Sequence, residues 1–410
     1  MKLLPGNLHT DTLSRLRAQT ILVLCLGLLF WLGAAVTAPV AAQETEPVPA
    51  FSMEDTLSAL DLKVLEEYTQ RVDGEISQQL EQKPAREWLL DFVRGEWELD
   101  AREVGNNIVR FFFKEVTANS NLLGKLLILA VISALLINLQ TAFSSGVSQV
   151  SYLACFLALC ALALGSFKVV LDLGINTVNN MVGFMIAMLP QMLVLTAGMG
   201  NVNSTVTLFP LLMTTATAFA STIKNLVFPL IILSAILHLV NNMSTTMKVE
   251  RMAKFFTQMA QICLGFLLTF FVGILTLRAL YASVLDKVTL RTTRFVTDNA
   301  IPVVGKMFSD TIEVAAGYIL LLKQALGIFG VLVILGMILL PLIKIAALGL
   351  IYKVSAAIAE PLGDSRTSAV LEIMSTHLFL MLAAVAAVGL MFFIMIAIVI
   401  GLSSGPGMAR

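Results

Sequence analysis

Long apolar runs fill most of the chain after residue 121, and their lengths set the first expectation. A helix needs about 20 apolar residues to cross the hydrocarbon core of a bilayer. Runs of this kind are Leu122–Phe143, Val150–Leu173, Met181–Ala197, Thr205–Ser221, Leu226–Asn242, Met259–Tyr281, a region within Leu326–Tyr352, and Leu378–Gly401. The third and fourth are short and carry Pro190 and Pro210. They are expected as broken or re-entrant helices, which membranes tolerate only where buried in protein or lining a cavity. The pattern predicts an all-α, polytopic membrane protein with about seven to eight spans over 122–401, followed by a tail at 402–410.

Before residue 122 the pattern changes twice. Lys2, Arg15 and Arg17 precede the uncharged run Thr20–Val36, and Val40 and Ala42 precede the polar Gln43. This is the layout of a secretory signal peptide over 1–42, with cleavage expected after Ala42; an uncleaved anchor helix is the alternative. Residues 43–121 then alternate with helical periodicity. One helix is expected over Met53–Gln82, with Leu57, Leu60, Val64 and Tyr68 on one face, and a second over Ala85–Val116, with Trp88, Phe92 and Trp97. Pro84 separates them, and Gly95 and Gly105 favour bends. A small helical exported N-terminal domain is the reading.

Charge sharpens this division. The formal net charge is zero, but residues 43–121 hold eight Lys/Arg against seventeen Asp/Glu, while 122–410 hold sixteen against nine. An acidic head therefore precedes a mildly basic body. Nucleic acid is not an expected partner, because phosphate binding needs clustered positive charge. Overall, 58% of residues are hydrophobic and 13% charged, against about 25% charged in soluble domains; the lipid bilayer is the expected surroundings. No CxxC spacing exists among the four cysteines, so neither a zinc site nor a redox pair is indicated.

Loop charge gives an orientation. With the head exported and eight spans counted, loop 243–258 lies inside, and its Lys248, Arg251 and Lys254 agree with the positive-inside rule. The same count puts 282–322 outside despite Lys287, Arg291, Arg294 and Lys306. An internal parallel repeat is suggested over 176–281 and 297–401, since Phe228-Pro-Leu-Ile231 and Leu340-Pro-Leu-Ile343 each open a hairpin. Chance similarity of proline-marked apolar runs is the alternative.

An ionisable residue inside a span is a functional candidate. Lys344 lies three residues after Pro341 in an apolar run, and His238 lies in the matching span after Pro229. Snorkelling to an interface is the alternative for Lys344, and a helix–helix hydrogen bond for His238. Lys168 and Asp172 stand four apart and could pair on one helix face. Lys323 and Glu313 are expected as boundary residues. His9, His238 and His377 are widely separated along the chain. No HExxH, GxSxG, Walker A or GxGxxG motif occurs, so no catalytic, cofactor or metal site is expected and the protein reads as no enzyme.

Certain stretches resemble a known family. Asn299-Ala-Ile-Pro-Val-Val-Gly-Lys-Met-Phe-Ser-Asp310, Thr311-Ile-Glu-Val-Ala-Ala-Gly317, Asn179–Gly200 and Pro361-Leu-Gly-Asp364, with the signal segment and helical head, are similar to the stage III sporulation protein AE family of endospore-forming bacteria. The resemblance implies a permease-like membrane component of a channel or feeding-tube complex between mother cell and forespore. The implied partners are other stage III sporulation proteins and a forespore membrane protein, with the head in the intermembrane space. No catalytic residues carry over. Two readings stand beside it: a stand-alone secondary transporter of a small solute, and a scaffold recruiting partners through the head.

Overall fold

A computed structural model of the chain describes residues 85–94, 101–142, 146–199, 202–243, 248–300 and 304–401. The expected signal segment and the expected helix Met53–Gln82 lie outside the described residues. Among the described residues the structure is helical throughout, with no strand: α1 (Ala85–Arg94), α2 (Ala101–Ala118), α3 (Ser120–Ala142), α4 (Gly146–Gly198), α5 (Val202–Thr222), α6 (Phe228–Met243), α7 (Glu250–Ala300), α8 (Val304–Ala359) and α9 (Ser365–Gly401). Six helical stretches among these residues are long and apolar enough to cross a membrane. The chain is an all-α polytopic membrane protein.

The eight expected runs fall on these six stretches because two pairs merge. Val150–Leu173 and Met181–Ala197 lie on one helix, α4, which continues through Pro190. Thr205–Ser221 and Leu226–Asn242 join through a single π-helical turn, Ile223–Val227. The expectation that Pro190 and Pro210 break their helices is corrected, since both sit inside helices. A proline removes one backbone donor, and no second breaker stands beside either one, so neighbouring turns keep the helix going. The stretch 282–322, expected as a loop, is also largely helical: α7 runs to Ala300 and α8 starts at Val304.

Helix–helix contacts set a common axial register. At one end, the Tyr152 hydroxyl of α4 is 3.4 Å from Asp364 Oδ1, and Ser133 Oγ of α3 is 3.3 Å from Thr367 Oγ1 of α9. Farther along, Gly174 of α4 faces Val385 of α9 and Phe228 of α6. Next, Gly389 of α9 faces Ile338 of α8, and Gly330 and Gly327 of α8 face Met188 and Met192 of α4. At the far end, Gly198 of α4 faces Ile319 of α8. Glycine serves this packing by close approach: a Cβ at Gly330 would sit 2.0 Å from Met188 Cε, and one at Gly389 would sit 2.2 Å from Ile338 Cδ1. Lipid is as apolar as leucine, so such tight van der Waals packing, rather than burial from water, holds membrane helices together. The core around it is aliphatic and methionine-rich, with Met181, Met185, Met188, Met374, Met381 and Met395 all buried; unbranched methionine fills irregular gaps between helices.

The turn between α8 and α9 is built from local chemistry. Pro361 sits in the 3₁₀ turn Glu360–Leu362, and Gly363 ends it at φ 88°, a left-handed conformation that glycine adopts without a Cβ penalty. Asp364 then caps α9, its Oδ1 accepting from the Thr367 backbone N–H at 3.0 Å and its Oδ2 from the Thr367 hydroxyl. Asp364 is buried, so this cap doubles as the clamp that fastens α9 to α4 and α3.

Candidate functional site

One internal polar cluster of the described residues lies where α6, α7 and α9 meet. Ser234 of α6 is the hub. Its Oγ lies 3.0 Å from His377 Nε2 of α9, 2.9 Å from the Ala253 carbonyl of α7, and against Thr257 Oγ1 of α7. His238, one turn along α6, packs its ring edge-on to His377 with centroids 5.2 Å apart. Its Nδ1 is 2.9 Å from the Ser234 carbonyl and 3.4 Å from Ser234 Oγ. A cavity of about 290 Å³ adjoins the pair, lined by His238, Lys254, Thr257, Gln258, Glu372 and His377 among others.

The hydrogen bonds assign the protons. His377 Nδ1 is 2.8 Å from the Ile373 carbonyl, which can only accept, so Nδ1 carries a proton and neutral His377 presents Nε2 as an acceptor. The Ser234 hydroxyl then donates to Nε2. When His377 is an imidazolium, Nε2–H donates to Ser234 instead, and the hydroxyl turns to the Ala253 carbonyl. Thr257 also donates to that carbonyl, at 3.1 Å, and a carbonyl has two lone pairs. One serine therefore satisfies His377 in both protonation states without moving a helix. Around the cavity mouth stand two exposed ion pairs, Lys254–Glu250 at 2.6 Å and Lys353–Glu372. Exposed pairs of this sort contribute about 0–1 kcal/mol each, so they place charge rather than secure the fold.

The sequence candidates are placed unevenly. His238 belongs to the cluster. Pro229 is the second residue of α6, nine residues before it, and begins the helix that carries it. Pro341 lies within α8. Both proline-marked tetrapeptides stand in the first arm of a helical hairpin, and helix continues upstream of each, as α8 before Leu340 and through the π-helical turn Ile223–Val227 before Phe228. Lys344 is half-buried on α8, away from the cavity lining. Lys168 and Asp172 are exposed on α4 and no ion pair joins them. The axial register sets Asp172 and Lys344 at about the same level, on different helices.

Two residues carry more than their sequence context showed. His377, separated from His238 by 139 positions along the chain, becomes its ring neighbour because α9 folds back along α6. Its position at the head of an uncharged run, 373–409, was the available signal. Lys323, expected as a boundary residue, is fully buried, and its Nζ has no hydrogen-bond partner among the described residues. Gln324 follows it directly and the next helical turns are apolar, so a short sequence window does not tell a boundary lysine from an enclosed one. No group of three metal-ligating side chains exists among the described residues.

Comparison with known proteins bears on identity. The family model described as Stage III sporulation protein AE matches residues 84–403. The Stage III sporulation protein AE of Bacillus subtilis (strain 168) is 36% identical over 313 residues, covering 76% of this chain and 78% of that protein. No solved structure matches. The match runs through α1 to α9 and includes the histidine cluster, the α8–α9 turn and the buried lysine: the chain belongs to the stage III sporulation protein AE family.

Proposed function

We propose that this protein is a permease-like core of a multiprotein channel complex that sporulation requires, set in the mother-cell membrane with its acidic head in the space facing the forespore. Family membership supports the sporulation role, and six apolar helical stretches support the membrane-embedded body. The observation that carries the permease reading is the cluster itself. Two histidines, a serine and a threonine meet beside a cavity where three helices join, and ionisable residues among membrane helices are functional candidates. The protein acts by passage and assembly rather than by catalysis. Its partners are other stage III sporulation proteins and a membrane protein of the forespore.

The test is complementation in sporulating cells lacking the native protein. Ser234→Ala and His377→Leu should insert and accumulate normally but lower spore yield at least tenfold, and affinity purification of the wild type should retrieve sporulation partners. Full spore yield from both variants would remove the cluster from the mechanism. A second reading, a stand-alone proton-linked transporter, is favoured by the serine that serves both states of His377. Purified protein in vesicles should then move a solute without partners, and Lys344→Ala should leave that transport intact while His377→Leu abolishes it.

A further inference from the structure

We propose that the π-helical turn in the middle of the α5–α6 stretch binds a small anion, a carboxylate or phosphate, between Lys224, Asn179 and Ser221. The inference rests on the permease reading, to which it gives a substrate class and a site apart from the histidine cavity. Position is the first reason. Lys224 stands near the middle of the apolar stretch Phe209–Met243, about 22 Å from its nearer end at roughly 1.5 Å per residue, farther than a lysine side chain reaches. The neighbouring helix agrees. Ser234 lies level with Ala253 of α7, and the Phe219 ring meets Phe271 with centroids 5.2 Å apart. Lys224 therefore stands level with about Gly265, near the middle of the α7 stretch Glu250–Leu277. An ionisable residue so placed is a functional candidate.

Local chemistry builds the turn. Pro229 has no N–H to bond the Asn225 carbonyl, and its ring crowds that carbonyl. The helix widens in the turn before it, Ile223–Val227, where the Phe228 N–H reaches back to the Ile223 carbonyl. Such π turns inside α-helices are frequent at functional sites. Ile223 and Val227 are buried, while Lys224 is half-buried and Asn225 exposed.

The groups that meet at this turn are left with donors to spare. Lys224 Nζ is 3.1 Å from Asn179 Oδ1 of α4. An ammonium only donates, so the Asn179 amide oxygen faces the lysine and its NH2 is left to donate elsewhere. Asn225 Nδ2 donates to Ser221 Oγ at 2.9 Å, which leaves the Ser221 hydroxyl proton to donate. No acidic residue pairs with Lys224 among the described residues. Asp172 on the same face of α4 stands seven residues before Asn179, about 10 Å away along the helix and out of contact. One full positive charge, with an amide and a hydroxyl left to donate and no carboxylate in reach, complements an anion. Asn176, Asn179 and Ser221 are all exposed, so the face is open to a solute.

The experiment follows the reaction of single cysteines with charged aqueous methanethiosulfonates, in native membranes, on the full chain with its native cysteines changed to alanine. Rates are taken relative to those with free 2-mercaptoethanol. Asn176→Cys and Ser221→Cys should react about tenfold faster with the sulfonatoethyl anion than with the trimethylammonium-ethyl cation, the bias that a unit charge a few ångströms away sets up in a watery site. Adding Lys224→Gln should abolish the bias while both cysteines stay reactive. Acetate and inorganic phosphate, at constant ionic strength, should slow the labelling only where Lys224 is present. Phe266→Cys, on the exposed side of α7 at the same level, should react with neither reagent. Unreactive cysteines at 176 and 221 overturn the site, since lipid or a packed helix then covers it. A bias that survives Lys224→Gln overturns it too, as does labelling that neither anion slows. Spore yield enters none of these readings, so the anion site can fail while the permease reading stands.

Discussion

Single residues here act through hydrogen bonds that span helices, and their removal should be measurable. Asp364 caps α9 and also accepts from Tyr152 of α4. Losing an N-cap costs ~1 kcal/mol and up to about 2, so Asp364→Ala should lower the unfolding temperature of the purified protein in detergent. Asp364→Asn should lower it less, because asparagine caps nearly as well as aspartate. An equal loss from both would mean that the charge, not the cap, holds the turn. Lys323 makes the opposite prediction. Its amine is buried without a hydrogen-bond partner among the described residues, and leaving a buried polar group unsatisfied costs about 1–3 kcal/mol, a cost that an apolar chain of similar volume avoids. Lys323→Met should therefore unfold at or above the wild-type temperature, and a clear fall would show that the amine is paired. The motif reading saw neither role: a cap is legible as Gly-Asp before a helix, but burial of a lysine depends on which helices surround it.

Elements pack here by glycine at specific levels, and equivalent glycines elsewhere are idle. Gly389 faces Ile338 across the α8–α9 contact, while Gly273 on α7 has nothing within 4 Å of its built Cβ. Overpacking a tight contact costs about 1–3 kcal/mol. Gly389→Leu should destabilise the protein by roughly that amount, and Gly273→Leu should change the thermal transition little. Composition treats these two glycines alike; only the neighbouring helix tells them apart. Pro190 and Pro210 read as breakers because they interrupt short apolar runs, yet each helix continues, because one missing backbone donor leaves the turns on either side intact.

At the scale of the molecule, the two hairpins point the same way. His238 meets His377, and Phe228 lies with Val385 at the level of Gly174, so the α6–α7 and α8–α9 turns occupy one side. Lys248→Cys and Glu360→Cys should be labelled by an impermeant maleimide from the same face of the membrane, and Tyr318→Cys from the opposite face. Labelling of the first two from different faces would contradict the register on which the histidine cluster rests. The all-helical class, the membrane location and the acidic character of residues 43–121 follow from the sequence alone, because hydropathy and charge are local sums that need no partner. The candidate His238 also follows from it, since a polar residue in an apolar run is conspicuous by itself. Tertiary structure decided what depends on two segments at once: that α4 is one helix and not two spans, that His377 completes the site, and that Lys323 is enclosed. The physical reason is that hydropathy reports what a residue avoids, while packing determines which residue it meets.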